Sequence, residues 1–181
     1  STFEKGLAHR GILNSSNRQS KVHRNNLPTT CGGCHVGPFV AFQDSKHYEL
    51  MQGGDQRVAT CSTCHGSVDG HLLSAKSLAA RCDSCHGPKG TAPRSDRAQQ
   101  VRAQYEALHT VREEMQEARD LIRRVTDAQR RAALQDEFEQ AQVPLTRAIQ
   151  AGHKFVYDDL REYLATAQQR AQALLSKLAN R

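Results

Sequence analysis

The chain has 181 residues, enough for one domain or two small ones. Only 38% of it is hydrophobic, Trp is absent and the mean hydropathy is −0.68, a thin supply of core for this length. No apolar run approaches the length of a membrane-spanning helix, and the formal charge of +6 comes from Lys and Arg dispersed among Glu and Asp, which argues against a transmembrane span and against a nucleic-acid surface.

Residues 1–30 are polar, rich in Asn, Ser and Arg, and lack periodicity. They read as an irregular arm carrying His9 and His23. The segment that follows is organised by one motif used three times: Cys31-Gly-Gly-Cys34-His35, Cys61-Ser-Thr-Cys64-His65 and Cys82-Asp-Ser-Cys85-His86. C-x-x-C-H is the attachment signature of c-type haem. Two thiols one helical turn apart can each form a thioether to a haem vinyl group, and the next residue brings an imidazole to the iron. C-x-x-C also serves zinc and redox chemistry, but a zinc ribbon pairs two C-x-x-C units and needs no His after each. A disulfide framework would leave the three histidines unexplained. All six cysteines lie in the motifs, so none remains for a disulfide or a catalytic thiol. The reading is three covalently bound haem c groups, held by Cys31, Cys34, Cys61, Cys64, Cys82 and Cys85 and ligated by His35, His65 and His86.

Three haems would supply the apolar bulk that the composition lacks, and ligation couples to folding. Residues 1–92 are therefore expected to form a triheme-binding segment that is unfolded without haem. Frequent Gly and Pro predict short helices at the motifs with loops between them and no strand. The six propionates of three haems would add up to about −6 and three ferric cores about +3, which would bring the loaded protein to roughly +3 oxidised.

At Thr91-Ala-Pro-Arg-Ser95 the composition changes to Ala, Gln, Glu, Arg and Leu, which predicts long helix over 93–181. Ser95 suits an N-cap, with Asp96 in the first turn. Val101, Gln104, Leu108, Val111, Met115, Ala118, Ile122 and Val125 alternate in steps of three and four, a coiled-coil-like seam. A second stripe runs through Leu134, Phe138, Ala141, Leu145, Ile149, His153, Val156, Leu160, Leu164, Ala167, Ala171, Leu174 and Leu178. Pro144 and Gly152 should kink or split it. With a turn around Thr126 to Arg131, the expectation is a mainly α protein: a loop-rich triheme segment followed by a long antiparallel helical hairpin, without significant sheet.

Six histidines lie outside the motifs, and each haem iron has a second axial position to fill. His47 and His71 sit in the loop-rich segment. His153 lies on the apolar stripe and His109 beside its own. His47, His71 and His153 are the candidate distal ligands, with His23 and His109 in reserve. Met51 and Met115 are the only Met residues, so at most two irons could be His/Met.

Phe42-Gln-Asp-Ser45-Lys-His47 resembles the aromatic-x-x-Ser-x-His element of the multihaem superfamily that includes pentahaem nitrite reductase, octahaem hydroxylamine oxidoreductase and the tetrahaem cytochrome of ammonia oxidisers. Cys61-Ser-Thr-Cys64-His65-Gly66 followed by His71 resembles its C-x-x-C-H-G…H element, and the last motif followed by long helices resembles the C-terminal half of nitrite reductase. The resemblance implies crossed ligation: His153 to the haem bound at His65, His47 to that at His86, and His71 to that at His35. It also implies a homo-oligomer through the long helices, and an extracytoplasmic, periplasmic location, where c-type haem is attached in bacteria. The C-x-x-C-K motif of the nitrite reductase active haem is absent. The expected function is thus a soluble triheme cytochrome passing single electrons between periplasmic redox-partner proteins through bis-histidine haems. The rivals are a small enzyme with one open-site haem acting on a nitrogen or sulfur oxyanion or hydroxylamine, and an electron-transfer subunit of a larger oxidoreductase complex.

Overall fold

The computed structural model describes residues 13–66, 74–94 and 97–179, with the backbone alone at residues 97 and 98. His9, His71 and the expected cap at Ser95 and Asp96 lie outside the described residues. Among the described residues there are eight helices and no strand, as the composition predicts. The chain divides into two compact units, Ser1–Leu73 and Ser74–Arg181.

The first unit carries four short helices: α1 (Leu27–Gly32), α2 (Val36–Gln43), α3 (Lys46–Gln52) and α4 (Cys61–His65). Helix α1 opens with Pro28 in its first turn, where a missing N–H costs nothing. It packs on α2 so closely that a Cβ at Gly32 would run into the Phe39 ring. Helix α3 is capped by Ser45, whose hydroxyl accepts the Tyr48 N–H at 3.1 Å. Phe42 is buried and meets the Tyr48 ring edge-on at 5.6 Å. The aromatic-x-x-Ser-x-His stretch is therefore a local packing-and-capping unit that sets the direction in which α3 leaves. The Arg24 guanidinium reaches 31 to 34 residues along the chain to donate to the Asp55 and Val58 carbonyls, at 3.3 and 2.6 Å, and fastens the loop that leads into α4.

The second unit holds α5 (Ala75–His86), α6 (Arg97–Arg123), α7 (Ala128–Lys154) and α8 (Tyr157–Ala179). Composition changes near residue 91, but the compact unit begins at Ser74, because α5 buries Ala75, Leu78 and Ala79 and packs along α6. The third motif thus belongs to the helical unit.

The seam on α6 forms as spaced: Val101, Val111, Met115, Ala118 and Ile122 are buried, with Gln104 and Leu108 half-buried. The turn to α7 spans residues 124–127, and Asp127 caps α7 by accepting the Arg130 N–H. The second arm of the expected hairpin is two helices. Phe155 adopts a left-handed φ of 61° and ends α7, whereas Pro144 lies within α7 and does not break it. Proline removes the N–H that would bond the Gln140 carbonyl one turn earlier. The Arg170 guanidinium of α8 donates to that carbonyl instead, at 2.8 Å. Lys177 pairs with Glu137 and Arg170 with Gln140, so α7 and α8 run antiparallel. Gln104 bonds the Tyr157 carbonyl and Gln172 bonds Glu114, so α6 and α8 run parallel. The result is an up-down-up bundle whose main core joins Val111, Met115 and Ile122 with Leu134, Phe138 and Leu174. Toward the end of α7 the buried face passes through Pro144, Ala148, Ala151 and Gly152. Leu145, Ile149 and His153 are half-buried at its edge, and Val156 is exposed.

Candidate haem-attachment sites

The second and third motifs place both cysteines one turn apart on a helix, and the first places Cys31 in a helix and Cys34 in the turn that follows it. In the first, Cys31 lies in α1, and its carbonyl accepts both the Cys34 and His35 N–H groups, at 3.1 and 2.9 Å. Cys34 and His35 are exposed, and His35 stands at the start of α2. The second motif is the whole of α4. Thr60, buried just before it, donates its N–H to the Thr63 hydroxyl at 3.1 Å, so one spacer residue of this C-x-x-C serves as a helix cap. Gly66, at φ 73°, ends the helix directly after His65. The third motif is the last turn and a half of α5, with Gly87 following. Sequence reasoning passed over Thr60; its signal was a Thr three residues before another Thr at a helix start.

All six thiols are free of disulfides. The Cys31 and Cys61 side chains hydrogen-bond each other where α1 packs on α4, so the first two motifs meet at their leading cysteines. Burial, and then the neighbouring Cys31 thiol, push the Cys61 thiol up to about 12. Burial also pushes the Cys82 thiol up. Both stay protonated near neutral pH and are poor targets for oxidation or exchange. Among the described residues no three His, Cys, Asp or Glu side chains converge as ligands of a single ion.

Imidazole tautomers sort the histidines. His86 donates from Nδ1 to the Ala92 carbonyl at 2.7 Å, because a carbonyl can only accept. Nε2 then carries the lone pair, the form a metal-bound imidazole takes. His153 does the same with the Ile149 carbonyl one turn back, also at 2.7 Å. His23 is opposite: its Nδ1 accepts the Asn25 N–H at 3.3 Å, which puts the proton of the neutral ring on Nε2. His47 is half-buried in the first turn of α3, and His109 is exposed on α6. His71 lies outside the described residues.

Two thiols one turn apart, a His directly following and a carbonyl on Nδ1 at the third motif form a donor set that fits covalently attached haem. No helix among the described residues is long and apolar enough to cross a membrane. No curated protein and no solved structure matches the chain. Residues 16–87 match the family model described as cytochrome c7 and related cytochrome c, a span that contains all three motifs, so that this part of the chain is similar to multihaem c-type cytochromes.

Proposed function

We propose that the protein is a triheme c-type cytochrome that carries single electrons between redox-partner proteins outside the cytoplasm. The observation that carries this reading is the threefold C-x-x-C-H motif at helix ends, inside the span that matches cytochrome c7. Bound haem supplies one-electron cycling of iron between ferric and ferrous, and the chain's part is to attach it, ligate it and set its potential. Residues 1–92 attach the three groups through Cys31, Cys34, Cys61, Cys64, Cys82 and Cys85. His35, His65 and His86 are the proximal ligands.

His47, His71 and His153 are the distal ligands in this reading, giving every iron two imidazoles. The Nδ1–H bond of His153 to Ile149 supports its place in the set, since it presents Nε2 as the donor atom. The resemblance to the nitrite reductase superfamily supports the crossed pattern: His153 to the haem at His65, His47 to that at His86, His71 to that at His35. The long helices would supply the face for self-association.

Intact mass of the purified protein tests the count: a gain of three haems is expected, and any smaller gain counts against it. Ferric electron paramagnetic resonance, repeated with nitrite, hydroxylamine and cyanide, tests the ligation. Three low-spin signals indifferent to the additions are expected of a carrier. A high-spin signal that takes up a ligand would replace the carrier reading with chemistry at that iron.

A further inference from the structure

The segment after the third motif, Gly87 to Arg94, folds back on the end of α5 and bonds the half-buried His86 through its ring and its main chain. Four hydrogen bonds define it. The Gly90 N–H reaches the Gly87 carbonyl at 2.9 Å, and the Ala92 N–H returns to the Cys85 carbonyl at 2.9 Å. The Arg94 N–H reaches the His86 main-chain carbonyl at 2.6 Å. The Ala92 carbonyl then accepts from His86 Nδ1 at 2.7 Å. Ala92 is held from three directions: its N–H on Cys85, its carbonyl on the ring, and its torsion limited by Pro93, which confines a preceding residue to extended backbone. Gly90 permits the fold, because a Cβ there would overlap the Cys85 carbonyl.

We infer that the Gly87–Arg94 loop is a positioning element for His86, and that through the Ala92 carbonyl it lowers the reduction potential of the third haem. This rests on the reading of His86 as an iron ligand. A carbonyl on Nδ1–H gives the imidazole partial anionic character and makes Nε2 a stronger donor, which favours ferric over ferrous iron.

The test uses the haem-loaded protein with Gly90→Ala, which forces the loop off Cys85, and Pro93→Gly, which frees the Ala92 torsion without adding an atom. Lys89→Ala, in the same loop but outside these bonds, is the control. Potentiometric titration and the paramagnetically shifted haem methyl resonances are read together. One potential is expected to rise, with the methyl resonances of the same haem moving and those of the other two staying in place. Pro93→Gly should shift it in the same direction by less, and Lys89→Ala should leave all three. Three unchanged potentials in fully loaded Pro93→Gly would overturn the inference, as would a uniform shift of all three. Should Gly90→Ala fail to load its third haem, Pro93→Gly decides alone. A wild-type protein without a third haem removes the functional reading itself, and intact mass reports that separately.

Discussion

A histidine acts as an iron ligand through the nitrogen that carries a lone pair, and that is decided by what the other nitrogen touches. His153 donates Nδ1–H to Ile149 and offers Nε2, His23 accepts at Nδ1 and does not, and His109 stands exposed. In the loaded protein His153→Ala should therefore turn one low-spin haem high-spin and open it to cyanide. His109→Ala should leave the resonance spectrum as it was. If His153→Ala also leaves three closed low-spin irons, His153 is not a ligand. Asp55 offers a second check. Its side chain accepts from the Arg57 guanidinium and its N–H, and these bonds, foremost the guanidinium, hold its carboxyl down to about 2. A depressed carboxyl pKa favours the folded chain at pH values above the ordinary carboxylate range, and the advantage fades as pH falls toward 2. The Asp55 side-chain carbonyl resonance should keep its ionised position through pH 3 and titrate near 2. A midpoint near 4 would mean that the Arg57 clasp does not form in solution.

Proline in mid-helix usually marks a kink, and the stripe of α7 and α8 reads as interrupted at Pro144 and Gly152. The interruption falls instead at Phe155, because Arg170 takes up the carbonyl that Pro144 leaves without its helical donor. The bond is worth about 1 kcal/mol for an exposed, charge-assisted donor. Arg170→Ala should cost about that in the native background and much less in Pro144→Ala, where the Ala N–H satisfies Gln140. A double-mutant cycle by denaturant unfolding measures the difference, and equal costs in both backgrounds would deny the coupling. Arg24 plays a related part at the loop before α4, donating to Asp55 and Val58 across more than thirty residues. Arg24→Ala should speed amide exchange around residues 55–63 while leaving the bundle unchanged. Exchange that stays as slow as in the native chain would mean that another group fastens the loop.

The two units differ in what they can bury. The helical unit joins Val111, Met115, Ile122, Leu134, Phe138 and Leu174 in one core and adds Ala148, Leu160 and Leu164 in a second cluster. Buried apolar residues described in the first unit are few: Leu27, Ala41, Phe42 and Met51. Haem would complete that unit, as ligand binding that favours the folded state does generally. The haem-free chain should therefore keep most of its helical circular dichroism and a protease-resistant fragment covering α6 to α8, while the amides of α1 to α4 exchange freely. Cooperative loss of both parts on haem removal would show that the bundle does not stand without the haem segment.

The motifs were legible without a structure because they depend on local spacing. Cys-x-x-Cys-His puts two thiols on one turn with an imidazole next to them, whatever surrounds it. Steps of three and four put Val111, Met115 and Ile122 on one face of any helix. Tertiary structure decided what depends on residues far apart in the chain. Arg170 rescues Gln140, so the helix runs on through Pro144 and stops at Phe155, and the hairpin becomes three helices. Packing of α5 on α6 draws the third motif into the helical unit, although Gly and Pro continue past it. The return of Ala92 to Cys85 aims a carbonyl at His86. Carbonyl partners and buried edges are settled by the packing of whole elements, and the order of residues leaves them open.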